Sequence, residues 1–215
     1  ITSKKESMGI CFVGKRKKFS DFLTDYIEPK VGPVLVKYGT ASDCVDHSAA
    51  VRKSMYNAWN GRLKPDQMNR LIGTHNGTPF YTIGQTYRLS GSKEKLFVCE
   101  KDHENNIIYV TGASKSNRYL NTKWFRTVGA HWLVPDVSSF IASETAPPLS
   151  TKIRHSEQTQ PCGLQFDNND PTKIIVDATN TDTVFSCVAP GQAAVFYAKD
   201  DTFEDLVCLG SGIIA

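Results

Sequence analysis

Cys11 is the residue of this chain whose type and surroundings are best suited to covalent chemistry. It lies between Gly9 and Gly14, with lysines before it and a basic run over residues 15–18 after it. A thiol reacts as the thiolate, and nearby cations lower the free-energy cost of forming that anion. The glycines allow close backbone approach, which suits a cysteine that a loop presents to a large substrate. The same residues also fit a buried, inert cysteine in a short apolar strand, so both interpretations stay open.

The basic run after Cys11 is a candidate nucleic-acid contact. Lys15, Arg16 and the two lysines that follow them are consecutive, and such a cluster can neutralise phosphates. The alternative interpretation is a solvated charged face without a partner. The net charge of +3 and the pI near 8.5 are only mildly basic. A local nucleic-acid contact is therefore favoured over a wholly basic surface.

The six cysteines indicate neither a metal site nor a disulfide framework. They form no C-x-x-C pair and the histidines do not cluster, whereas zinc sites have closely spaced ligands. Cysteines this widely scattered in a chain of this length also argue against disulfides. Cys99, Cys187 and Cys208 lie in apolar, strand-like segments, which predicts core positions for them.

The length and composition are typical of globular domains. A chain of 215 residues has room for one large or two small domains with cores of their own. Hydrophobic residues make up 40% and charged residues 22% of the chain, with a mean hydropathy of -0.32, as in ordinary globular proteins. No apolar run approaches the roughly 20 residues that span a bilayer.

The first third of the chain carries the helical signals. Apolar residues follow helical spacing over residues 19–27, and Pro29 is expected to end that helix. A strand is predicted over Val34–Tyr38. Residues 40–72 are interpreted as an insertion with one or two short helices; a mobile polar excursion is the alternative.

From residue 79 onward the pattern favours β-structure. Short segments rich in aromatic and β-branched residues alternate with turn sequences, as in a small barrel or sandwich. Turns are expected at His103–Asn106 and at Asp167–Pro171. The predicted strands are Phe80–Gly84, Leu96–Glu100, Ile107–Thr111, Trp124–Val134, Thr151–Ser156, Cys162–Phe166, Lys173–Ala178, Thr183–Val188, Ala193–Tyr197 and Val207–Ile214.

Four motifs, in order along the chain, resemble those of the tRNA-specific 2-thiouridylases. The first is the cysteine segment Lys4–Arg16, and the second combines Gly73–Gly77 with Phe80–Gln85. The other two are Pro190–Tyr197 and Cys208–Gly212. The resemblance extends over nearly the whole chain, and it is specific because the motifs keep the family order.

The resemblance implies a mainly β fold in two parts. A small mixed α+β central domain, residues 1–120 with the cysteine loop and the 40–72 insertion, is expected to precede a C-terminal β-barrel, residues 121–215. That barrel would resemble domain 2 of translation elongation factors. The family's ATP-pyrophosphatase domain has a Gly-rich phosphate loop that this sequence lacks. We therefore expect the C-terminal part of a longer enzyme, with ATP bound elsewhere.

The resemblance also implies a reaction. In this family ATP adenylates O2 of the wobble uridine in tRNA, and a cysteine persulfide then delivers sulfur to C2. Soft, polarisable sulfur can be carried, attacked and released in this way, and the base must leave the anticodon stack to reach it. By its motif, Cys11 corresponds to the persulfide-carrying cysteine. The second cysteine of the family, which resolves it by disulfide formation, is not expected in this chain.

The implied tRNA contacts are spread along the sequence. Arg154 and His155 align with the family's Arg-Tyr pair, and Gln192 aligns with the glutamine of its Gly-Gln motif. Arginine bridges phosphates and histidine can stack on a base; for Gln192 a plain turn residue is the alternative. Lys15 and Arg16 complete the expected contacts.

Partners and location follow only from the resemblance. The partners would be a persulfide donor protein and tRNA, with the Lys, Glu and Gln tRNAs as the family's substrates. Departures from the family pattern, such as Thr86 after Gly84–Gln85, indicate a diverged member, and a mitochondrial one is expected, with a bacterial-type cytoplasmic one as the alternative. A non-catalytic RNA-binding or docking module is the second functional hypothesis. A free-standing thiol transferase is the third.

Overall fold

The computed structural model describes most of the chain. The described residues are 19–37, 54, 57–59, 61–64, 67, 70–89, 95–112, 118–142, 147–154, 158–199 and 206–215. Within them lie two short α-helices, α1 (Phe19–Leu23) and α2 (Val137–Ala142), and a 3₁₀ helix at Thr78–Phe80. Residues 54, 57–59 and 67 are also helical. No helix in these ranges is long and apolar enough to cross a membrane.

A five-stranded sheet forms the first half of the molecule. Its spatial order is β2-β1-β5-β4-β3, with β1 and β5 parallel and all other pairs antiparallel. The central strands β1 and β5 are buried on both faces, as their continuous apolar sequences require. The strands are β1 (Gly32–Val36), β2 (Leu71–His75), β3 (Thr86–Tyr87), β4 (Leu96–Asp102) and β5 (Ile107–Gly112).

A seven-stranded antiparallel sheet forms the second half. Its order is β10-β11-β7-β14-β13-β8-β9, and it curls so that β10 also contacts β8. Side chains from the inner face fill one core, which includes Phe125, Ile174, Phe185 and Phe196. The strands are β7 (Trp124–Trp132), β8 (Leu149–Lys152), β9 (Gln160–Pro161), β10 (Gly163–Phe166), β11 (Ile174–Asp177), β13 (Ala193–Lys199) and β14 (Leu206–Ile214).

A two-stranded ribbon lies beside the second sheet. In it β6 (Asn121–Thr122) pairs antiparallel with β12 (Phe185–Ser186). The mainly β fold expected from the sequence is therefore confirmed, and so are the turn at 103–106 and the hairpin loop at 167–171, which joins β10 to β11. The division into domains at residue 120 stays a prediction.

Two local predictions for the first half of the chain were wrong. Phe80–Gly84 is not a strand: the 3₁₀ helix carries Pro79 in its first turn, and Gly84 has a φ of +85° in a turn. The side chain of Gln85 accepts a hydrogen bond from the Thr82 N–H at 2.9 Å, which stabilises the turn against the β propensity of the segment. Helix α1 ends at Leu23 rather than near residue 27. Tyr26 is consequently 74% exposed and lies outside the core.

The segment after β2 is fixed by a buried histidine. His75 is 2% exposed, and its Nδ1 accepts a hydrogen bond from the Gly77 N–H at 2.9 Å. The proton must therefore be on Nε2, which donates to the carbonyl oxygen of Asn106 at 3.1 Å. Asn106, at a φ of +53° in the turn before β5, also donates through its side chain to the carbonyls of Lys30 and Val31. One neutral imidazole thus joins β2 to that turn.

We predict that His75 makes the stability of the chain depend on pH. Burial lowers the pKa of His75, so the unfolded state takes up this proton at a higher pH than the folded state. The free energy of unfolding should fall as pH drops below about 6.5, the ordinary histidine pKa. Urea unfolding at about pH 7.5 and about pH 5.5, on either side of that pKa, measures the effect. The variant His75→Gln should be less stable and should lose this part of the pH dependence; an identical pH dependence in both proteins would contradict the assignment.

Candidate nucleic-acid interface

Four of the six expected site residues lie outside the described part of the chain. These are Cys11, Lys15, Arg16 and His155, and their roles stay predictions. Arg154 and Gln192 are described, and the register of the second sheet relates them. Val195 of β13 pairs with Lys152 of β8, so the residues just after β8 and just before β13 lie at the same end of the sheet. Arg154 and Gln192 therefore lie at the same end of the paired strands β8 and β13. We refer to this end of the second sheet as the Arg154–Gln192 edge.

Arg154 makes hydrogen bonds within the protein. Its Nη2 donates to the carbonyl oxygen of Cys187 at 2.7 Å and to that of Ser186 at 3.2 Å. Both carbonyls lie at the end of β12, so the guanidinium joins the end of β8 to the two-stranded ribbon. Charged donors make the stronger hydrogen bonds in proteins. Arg154 consequently has a structural role that the sequence did not indicate, whether or not it also contacts RNA.

The Arg154 bonds hold Cys187 at the junction of the two large sheets. Cys187 has a φ of +54°, which is uncommon for a residue with a side chain. Its N–H donates to the carbonyl of Leu120, and its side chain packs with Leu120 and Cys99 against one face of the first sheet. Cys187 was expected to be a core residue of a strand. It is instead a half-buried residue that joins the two sheets.

Gly84 contacts Cys187 at the same junction, from the side of the first sheet. Its N–H donates to the carbonyl of Val98 at 2.7 Å. A Cβ at this position would lie 2.7 Å from Cβ of Cys187 and 3.3 Å from Nη2 of Arg154. Only a glycine leaves room for this approach. The Gly84–Gln85 motif noted in the sequence therefore serves as the contact between the sheets.

Gln192 lies in the turn that leads into β13. The turn places Gly191 at a φ of +86°, and the backbone carbonyl of Gln192 accepts from the Ile214 N–H at 2.8 Å. The residue is exposed. Its backbone thus belongs to the turn, while its side chain faces solvent at the edge that also carries Arg154. Both interpretations of Gln192, a turn residue and an RNA contact, are compatible with this geometry.

The cysteines at two described positions are poorly suited to thiolate chemistry. Cys99 and Cys162 are both buried, and burial raises the pKa of each thiol to about 12. The Sγ of Cys99 also donates to the carbonyl of Tyr109 at 3.4 Å. Neither thiol would be ionised near neutral pH. Among the described residues, no three His, Cys, Asp or Glu side chains gather as a metal site would require.

We predict that Gly84→Ala weakens the junction far more than Gly191→Ala does. The two glycines have nearly the same φ, +85° and +86°, but a Cβ at Gly191 would meet nothing within 4 Å. Backbone strain of order 1 kcal/mol is then common to both variants, and overpacking against Cys187 adds about 1–3 kcal/mol at Gly84 alone. Chemical denaturation of the two variants measures the difference. Equal losses of stability would mean that the sheets do not pack through Gly84.

Two family models match most of the chain. Residues 51–112 match the family model of the tRNA methyl transferase PRC-barrel domain, and residues 123–214 match that of the aminomethyltransferase beta-barrel domain. The first match includes residues 51–72, the second part of the expected insertion.

Named relatives align with nearly all of the chain. It is 32% identical over 202 residues to the trifunctional protein RibF/MnmA of Mycoplasmoides gallisepticum, covering 93% of this chain and 25% of that protein. It is 30% identical over 214 residues to the human mitochondrial tRNA-specific 2-thiouridylase 1, covering 100% of this chain and 41% of that protein.

A bacterial relative gives the same result. The tRNA-specific 2-thiouridylase MnmA of Buchnera aphidicola is 31% identical over 222 residues, covering 100% of this chain and 47% of that protein. The chain thus spans between a quarter and about half of the length of these relatives. Since relatives at least 30% identical cover nearly all of its residues, this chain belongs to the tRNA-specific 2-thiouridylase family.

Proposed function

We propose that this chain is the C-terminal part of a tRNA 2-thiouridylase, in which it supplies the persulfide cysteine and part of the tRNA-binding surface. The observation that carries the proposal is the alignment of the whole chain, cysteine segment included, with proteins named 2-thiouridylases. The substrate is the wobble uridine of tRNA, and the reaction replaces its O2 with sulfur. The Lys, Glu and Gln tRNAs are the substrates in this proposal.

Cys11 carries the sulfur in this proposal. A donor protein loads it as a persulfide, and the terminal sulfur attacks C2 of a uridine whose O2 has been activated by adenylation. AMP leaves with the former O2, and a second cysteine releases the sulfur by forming a disulfide with Cys11. The raised pKa values of Cys99 and Cys162 support the choice of Cys11 by making these two thiols poor nucleophiles.

ATP is assigned to a part of the enzyme beyond these 215 residues. The sequence has no Gly-rich phosphate-binding loop, and we assign no described residue to ATP. The role of the described residues is to bind the tRNA. Arg154 fixes the edge of the second sheet and Gln192 projects from it, so that a bound anticodon arm would contact this edge. Relatives include mitochondrial and bacterial proteins, and we propose the mitochondrial matrix as the location.

A second candidate function is a non-catalytic RNA-binding or docking module. It is favoured by one observation: Arg154 and Gln192, the two expected site residues that the structure describes, are both expected tRNA contacts and not catalytic groups. In that case Cys11 would take no part in the reaction, and sulfur would travel through a cysteine of another domain or protein.

We predict that Cys11→Ser abolishes thiolation and leaves tRNA binding unchanged. Serine cannot carry a persulfide, whereas the basic residues that follow it remain. The assay is formation of 2-thiouridine by the enzyme that contains this chain and its ATP-binding domain, with ATP, tRNA and a persulfide donor. Cys99→Ser is the matched control, because a serine hydroxyl can donate to the Tyr109 carbonyl as the thiol does. Undiminished thiolation by Cys11→Ser would leave the docking-module function in place of the catalytic one.

A further inference from the structure

A cleft of about 500 Å³ opens at the end of the first sheet, and neither Arg154 nor Gln192 is among the residues that line it. It is bounded by the start of β1, by the turn between β4 and β5, and by residues that follow the described helical residues 57–59. Its size is within the range of small-ligand and nucleotide sites. No role was assigned to these residues from the sequence.

The charges of the cleft favour an anion. Among the described residues that line it, three are cationic, Lys30, Arg62 and Lys64, and one carries a carboxylate, Asp102. Asp102 is already satisfied, since it accepts hydrogen bonds from the backbone and side-chain nitrogens of Asn105 at 2.9 and 2.8 Å. These bonds lower the pKa of Asp102, so the carboxylate keeps its charge at neutral pH. The described lining of the cleft therefore carries an excess of two positive charges.

Those cations make no ion pair within the described part of the chain. The ion pairs between described residues join Lys37 to Glu100 and Lys173 to Asp170. Arg62 lies over the ring of Trp59, with 5.7 Å between the guanidinium carbon and the ring centroid. Three exposed cations gathered around one carboxylate repel one another, and an anionic partner relieves that repulsion.

Trp59 supplies an apolar wall of the cleft. The residue is 9% exposed, and its Nε1 is buried with no hydrogen-bond partner. That nitrogen has no access to solvent, so the contact that Trp59 offers in the cleft is apolar. Val31, which is 59% exposed, supplies a further apolar contact in the same cleft.

We propose that this cleft binds the phosphodiester backbone of an RNA strand, as a tRNA contact separate from the Arg154–Gln192 edge. Two successive phosphodiesters would balance the two excess charges, and the ribose between them could lie against Trp59 and Val31. Contacts to phosphate and sugar position an RNA without reading its sequence. The inference rests on the proposed function, since it takes tRNA as the substrate.

The test is equilibrium binding of an unmodified tRNA transcript to the chain. Lys64→Glu and Lys30→Glu change two cations of the cleft that come from different segments, and neither side chain makes a hydrogen bond or ion pair in the structure. Lys199→Glu, at the far end of β13 from Gln192, makes the same charge change on another surface. Thermal unfolding of each variant verifies that it is folded.

Each cleft variant should lower the affinity for tRNA about tenfold more than Lys199→Glu does, and should reduce the slope of log affinity against log salt by about one. Cleft variants that bind as Lys199→Glu does would overturn the proposal. If AMP displaced the transcript from the cleft, the site would be one for a free nucleotide, which would also overturn it.

A further variant distinguishes failure of this inference from failure of the proposed function. Gln192→Ala tests the other edge: lower affinity in Gln192→Ala together with unaltered affinity in the cleft variants would refute only the cleft. Failure of the wild-type chain to bind the transcript at all would refute its RNA-binding function as well.

Discussion

The bond from Arg154 to the Cys187 carbonyl is the interaction on which the arrangement of the two sheets depends. It holds Cys187 in a left-handed conformation, in which the N–H of Cys187 meets the Leu120 carbonyl and its side chain meets Gly84. Each of these contacts requires the others, because a shift of Cys187 would break both of its backbone bonds. The guanidinium also fixes the end of β8, and with it the edge where Gln192 lies. A residue expected to bind RNA thus builds the surface that would do so.

The two halves of the molecule use different means to hold their loops. In the first sheet a neutral histidine links β2 to the turn before β5, and Asn106 extends that link to the backbone before β1. In the second sheet the curled antiparallel strands enclose an apolar core, and Asp and Thr side chains accept hydrogen bonds from the backbone of its own turns over residues 167–172 and 177–183. Some cationic side chains take no part in these hydrogen bonds and remain on the surface. Three of them line the cleft beside Trp59. The described thiols at Cys99 and Cys162, by contrast, are buried and protonated.

Much of this could be predicted from the sequence, since alternating and continuous apolar segments specified the mainly β fold and most strands after residue 95. Local patterns failed where tertiary contacts decide the backbone. Phe80–Gly84 has strand-like residues, yet Pro79, Gln85 and Gly84 turn the chain. The role of Arg154 was hidden for a similar reason, because the carbonyls that it contacts lie more than thirty residues away. The cleft, too, depends on residues brought together from three segments, and no single stretch of sequence indicates it.

Site-resolved persulfide loading tests the central claim, which is that sulfur chemistry belongs to Cys11 while the rest of the chain holds RNA. The folded chain would be incubated with a cysteine desulfurase and cysteine, and each cysteine-containing peptide would be examined by mass spectrometry. The account predicts a persulfide on Cys11 and none on Cys99 or Cys162, whose pKa values of about 12 leave too little thiolate to react. A persulfide on Cys99 or Cys162, with Cys11 unmodified, would contradict it.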